Sequence, residues 1–71
     1  MTFKELLKEK DIHGAQLARK VGVKRCTVSR WARGEMRPKI EEILKISQAL
    51  GMSEREIMEI IIETIKRRKE E

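Results

Sequence analysis

Three glycines and one proline partition this chain more firmly than anything else in it. Gly22, Gly34 and Gly51 each end a run of apolar residues spaced by three and four, and Pro38 introduces the run before Gly51. A residue without a Cβ ends a helix in the left-handed conformation at no steric cost. Proline, with its fixed φ, favours a helix start. Segments cut this short can form only brief helices, and a composition with one Phe, one Trp and no Tyr carries little β-signal. The chain is therefore expected to be all-α, with a core of Ile and Leu.

The apolar spacing predicts five helices. The first covers about residues 2–10, with Phe3, Leu6 and Leu7 inward, and Asp11-Ile12-His13-Gly14 breaks it while Ile12 plugs the core. The second runs from about 14 to 21 on Leu17, Ala18 and Val21, and the third from Arg25 to just before Gly34. The fourth, about 39–50, is expected to bury Ile40, Ile43, Leu44, Ile46 and Leu50. Ser53 and Glu56 have capping-box spacing, so the fifth helix begins at Glu54 and continues to about Lys66 or beyond. Its stripe of Ile57, Met58, Ile61 and Ile65 is expected to complete the core, with Ile60 and Ile62 to either side. With no repeat or linker, residues 1–71 read as a single domain.

Charge is unevenly distributed. Residues 16–39 hold eight Lys or Arg and one acid, Glu35, for a net +7, whereas residues 40–64 are net −4. On a wheel of about 100° per residue, Arg25, Cys26, Ser29, Arg30 and Arg33 share one arc of helix three. Val28, Trp31 and Ala32 take the opposite arc, with Thr27 at the seam. A short helix so divided packs by one side and shows an unneutralised cationic side to its surroundings, which suits a polyanion. Trp31 lies too far round the apolar arc to stack on a base and is read as core.

Other classes are disfavoured. One cysteine, Cys26, cannot form an internal disulfide, and a reducing setting fits it best. No apolar run nears the roughly 18 residues of a membrane span, and the charged start MTFKELLKEK is unlike a signal peptide. The cytoplasm is the expected location. His13 is the lone histidine and has no nucleophile–acid set or ligand cluster around it in the sequence. No enzyme activity, cofactor or metal is expected, and His13 is assigned to capping helix two. Cys26 is read as a small residue fitted to a groove, and Met36, Met52 and Met58 as gap-fillers.

The stretch LARKVGVKRCTVSRWARG followed by RPKIEEILKISQALGMS resembles the lambda-type phage repressor and Cro helix-turn-helix family, the xenobiotic-response-element type. The likeness extends over roughly residues 3–62 and rests on Leu17-Ala18, Gly22, Val28, Trp31, Arg33-Gly34, Pro38 and Leu50-Gly51 in combination. It implies a compact five-helix domain with the helix-turn-helix at about residues 14–33, its second helix presented to the DNA major groove. The chain departs from the family in three places. Gly14 replaces the usual Gln at the start of helix two, and Lys24 replaces the Ser or Thr cap before helix three. Leu7 and Ala32 replace an Arg–Glu pair between helices one and three.

The resemblance also implies roles for residues. Arg25, Cys26, Thr27, Ser29 and Arg30 are the expected base readers, arginine being shaped to grip guanine O6 and N7. Gln16, Arg19, Lys24, Arg33, Arg37 and Lys39 are the expected phosphate contacts. The surplus isoleucines of helix five point to a partner, with Ile60, Ile62 and Ile65 as the expected interface. The favoured reading is a sequence-specific transcriptional regulator, a repressor binding an inverted repeat of double-stranded DNA as a homodimer. The alternative is an antitoxin-type module that holds a partner protein through helix five.

Overall fold

The structure, a computed structural model, describes residues 1–70. It contains α1 (Phe3–Glu9), α2 (Gly14–Val21), α3 (Arg25–Ala32), α4 (Ile40–Leu50) and α5 (Glu54–Glu70), and no strand among the described residues. The segments expected from the glycine and proline punctuation are the segments observed. Gly22, Gly34 and Gly51 all have positive φ, at 82°, 74° and 66°. Gly22 and Gly51 are the residues that close α2 and α4. Lys39 takes the N-cap position of α4, one residue after Pro38, and its N–H donates to Glu42 Oε1 at 2.7 Å.

Capping explains the starts of α5, α1 and α2. Ser53 and Glu56 form the expected reciprocal pair, with Glu56 N–H donating to Ser53 Oγ at 3.2 Å and Ser53 N–H to Glu56 Oε1 at 3.1 Å. Thr2 and Glu5 form a second such box ahead of α1. His13 does occupy the N-cap of α2, but its imidazole makes no cap bond; its backbone N–H donates to Gln16 Oε1 at 2.8 Å.

The five helices enclose one core of Phe3, Leu6, Leu7, Leu17, Ala18, Val21, Val28, Trp31, Ile46, Leu50, Ile57 and Ile61. Trp31 is its largest member, and its ring meets that of Phe3 edge to face, with centroids 6.4 Å apart and planes at 84°. This geometry lets the positive edge of one ring meet the negative face of the other. Trp31 Nε1–H has no acceptor among the described residues. An unmade bond of that kind costs about 1–3 kcal/mol, so the burial of the indole must outweigh it. Leu7 and Ala32 line one cleft with Lys4 and Ile12, as the expected apolar contact between α1 and α3 requires.

Two expectations about the core fail. Ile40 is 86% exposed and Leu44 44%, although both were assigned to the buried face of α4. That face is made by Ile46 and Leu50, with Ser47 buried beside them and Ile43 only partly covered. On α5, Met58 is 49% exposed while Thr64 is buried. The buried line is Ile57, Ile61, Thr64, which turns the helix away from Met58. Thr64 earns its place through polarity: Oγ1 accepts the backbone N–H of Phe3 at 2.8 Å and donates to the carbonyl of Ile60 at 2.8 Å. One hydroxyl thus satisfies an orphan donor in the first turn of α1 while closing its own bond within α5.

Candidate nucleic-acid interface

α2 and α3 meet through the turn Gly22-Val23-Lys24. The left-handed Gly22 lets its own N–H and that of Val23 donate to the carbonyl of Ala18, at 2.8 and 3.0 Å. Lys24 then precedes α3 without any side-chain cap, so the first turn of α3 leaves N–H groups free for an outside acceptor. Ala18 is buried near the crossing with α3, where a small side chain permits close approach. At the start of α2, a Cβ on Gly14 would sit 3.7 Å from Val28 Cγ1, an ordinary contact.

Val28 and Trp31, each 1% exposed, anchor α3 from beneath. Arg25, Cys26, Arg30 and Arg33 are exposed on the other arc, with Ser29 half-buried among them and Thr27 half-buried at the seam. Gln16, Arg19, Lys24, Arg37 and Lys39 are also exposed. Gln16 spends its Oε1 on the cap of α2, which leaves its amide nitrogen to donate elsewhere. Arg19 borders the cleft between α2 and α4, beside Lys45 and Gln48.

The electrostatics follow the same division. Among the described residues, Arg19, Lys24, Arg25, Arg30, Arg37 and Lys39 form no ion pair. Arg33 is the exception, since its Nε pairs with Glu35. The Arg33 guanidinium, with Arg68 and Arg30 nearby, holds the Glu35 carboxyl below its usual range. The only acid of residues 16–39 therefore sits at the exit of α3, away from the first turn where Arg25 and Cys26 stand.

The helix-turn-helix family model matches residues 3–57. The chain belongs to the Cro/C1-type helix-turn-helix family. No curated protein and no solved structure matches it significantly. This is a family of DNA-binding transcription regulators and is not typically enzymatic. In this family member no described helix is long and apolar enough to cross a membrane.

Of the three isoleucines expected at an interface, α5 divides one from the other two. Ile60 is half-buried in a cleft that α5 shares with α1, beside Leu6 and Met52. Ile62 is 46% exposed about 160° away around the helix, and the half-buried Ile65 lies on its side. Ile40 and Leu44 are the residues that sequence reasoning missed. α2 borders α4 along Lys45, Gln48 and Ala49, and α1 borders α5 along Glu56, Glu59 and Ile60. The opposite edges carry Ile40 and Leu44 on α4, and Met58 and Ile62 on α5. The i, i+4 spacing within each pair was visible in the sequence; that no other helix covers them was not.

Proposed function

We propose that this chain is a sequence-specific regulator of transcription that occupies an inverted-repeat operator in double-stranded DNA as a homodimer and represses by occupancy. The observation that carries this reading is the outer arc of α3, where Arg25 and Arg30 are exposed and without carboxylate partners. Arg25, Cys26, Thr27, Ser29 and Arg30 would read base edges. Gln16, Arg19, Lys24, Arg37 and Lys39 would hold phosphates, and Arg33 would do so on exchanging Glu35 for a phosphate oxygen. Residues 1–71 would act as one DNA-binding unit, in the cytoplasm.

The homodimer reading is supported by the apolar edges of α4 and α5. Ile40, Leu44, Met58 and Ile62 are apolar side chains exposed on these two helices, which water does not favour. Lys66, exposed one turn after Ile62 on α5, gives the α5 pair a charged rim. None of these four residues belongs to the cationic arc of α3, so two copies joined through them would not use that arc for the contact. Half-sites would lie about 34 Å apart, one turn of DNA.

Selection of bound duplexes from a random pool tests the reading. The expected outcome is an enriched inverted repeat. Equal retention of selected and random duplexes at physiological salt would leave only a generic polyanion binder. Sedimentation at two protein concentrations tests the dimer, and a monomer that instead pairs with a small toxic enzyme encoded beside it would favour the antitoxin reading.

A further inference from the structure

Beyond Lys66, the basic end of α5 has no role in the reading above. Lys66, Arg67, Arg68 and Lys69 follow one another along its last turns. The ordinary explanation is that cations at a helix C-terminus complement its dipole. The packing places them somewhere more specific. Arg68 Nη1 donates to the carbonyl of Arg33, the residue that closes α3, at 3.3 Å. Beside it, Gly34 passes so near α5 that a Cβ there would stand 3.0 Å from the Thr64 carbonyl oxygen and 3.3 Å from Arg68 Cβ. Backbone contact of this kind fixes the end of α5 against the exit of α3.

Two shallow clefts border the junction. One, of about 460 Å³, gathers Lys4, Arg33, Arg67 and Arg68. The other, of about 400 Å³, lies between Gly34, Glu35, Ile65, Arg68 and Lys69. Three acids nearby are already engaged: Glu35 with Arg33, Glu63 with Arg67 at 3.5 Å, and Glu5 with the Thr2 cap; Glu70, next to Lys69, is exposed and forms no ion pair among the described residues. Arg68 and Lys69 have no carboxylate partner among the described residues. Their charge stands beside the exit of α3, where Glu35 shares the cleft but pairs with Arg33, so the surplus positive charge there suits the same polyanion.

We propose that Arg68 and Lys69 form a second contact with the DNA phosphate backbone, held in register with α3 by the Arg68–Arg33 bond and the Gly34 contact. This rests on the DNA-binding reading and adds to it a surface from outside the helix-turn-helix. The contact is sequence-blind, because phosphates carry no base identity. It lengthens the footprint and increases the salt dependence of binding.

The test measures binding of the full chain to a selected duplex and to a random one across a salt series. Each neutralised phosphate contributes about 0.9 to the log–log slope. The Arg68→Gln/Lys69→Gln variant is expected to bind both duplexes about three- to tenfold more weakly at low salt, with a slope shallower by about 1–2. The ratio between the two duplexes should not change, and Arg68→Lys/Lys69→Arg should restore binding. Lys69→Gln alone leaves the Arg68 bond in place and should still lower the slope by about 1, which separates lost charge from any loosening of α5. Unchanged slopes in both variants overturn the proposal and leave the regulator reading standing. Weakening on the selected duplex alone overturns it in favour of base contact. A wild-type chain that binds neither duplex overturns both readings together.

Discussion

The outer arc of α3 and the exposed apolar flanks of α4 and α5 are both unpartnered, but of opposite kinds. The first is charge without counter-charge: Arg25 and Arg30 stand over a buried Val28–Trp31 ridge. The second is apolar surface without cover: Ile40, Leu44, Met58 and Ile62 are each between 44% and 86% exposed. A cationic face gains from a polyanion through released counter-ions, and that gain fades with salt. An apolar face gains from any surface that removes water, and that gain does not depend on salt in the same way. The two surfaces can therefore be separated experimentally, since salt should weaken one association and spare the other.

The largest effect expected comes from the ridge beneath the cationic arc. Trp31→Ala should cost about 3–5 kcal/mol of stability in urea unfolding, through lost area and the cavity left behind. Trp31→Phe should cost much less, because it keeps an aromatic partner for Phe3 and removes the unmet Nε1–H. A Trp31→Ala chain that unfolded like the parent would break the claim that α3 is anchored from below.

On the arc itself, Arg30→Ala should weaken binding to a selected duplex by about 1–3 kcal/mol and relax base preference at one position. Lys39→Ala should weaken all duplexes alike. If both substitutions acted uniformly, Arg30 would belong with the phosphate contacts.

On the apolar side, Ile62→Asp should weaken self-association at least about tenfold, roughly 1.4 kcal/mol, read by sedimentation at several concentrations. Ile40→Lys sharpens the contrast between folding and association. The side chain is 86% exposed, so folding stability should change by no more than about 0.5 kcal/mol while association falls. A large loss of folding stability would mean that Ile40 is covered after all.

The smallest effect concerns the caps. The Ser53 backbone N–H, and then its hydroxyl, hold the Glu56 carboxyl below its ordinary value of 4.5, and Thr2 does the same for Glu5. A carboxyl whose pKa is lowered by folding contributes stability above its unfolded pKa and loses it as pH falls through the folded one. The melting temperature should therefore decline as pH drops below about 4.5. Glu5→Gln/Glu56→Gln should flatten that decline while changing little at neutral pH, because each glutamine still offers an acceptor. An equally steep acid limb in the double variant would place the sensitivity in other carboxylates.

The candidate DNA side was legible in the sequence because it depends on short-range rules. Gly22 sets the turn, the wheel separates Val28 and Trp31 from the arginines, and an exposed arginine needs no knowledge of distant neighbours. Ile40, Leu44 and Met58 were misplaced for the opposite reason. A wheel marks the apolar side of a helix, but not which part of it a neighbour covers. α2 approaches α4 along Lys45 and Ala49, and α1 approaches α5 along Ile60, so the other flanks stay open. Thr64 was invisible for a related reason, since its value is a hydrogen bond to Phe3 across 61 residues of sequence.

By itself, then, the order of residues determined where helices start and stop and which arc of α3 is basic. Capping, left-handed glycine and the angular step of the helix act over four or five neighbours and leave their marks in sequence. Only the tertiary structure decided which apolar flanks are covered, how Arg68 comes to rest on the end of α3, and that Glu35 pairs with Arg33 rather than with Arg25 or Arg30. Those outcomes depend on how five short rods share one small core, and packing between distant segments is a property of the whole arrangement.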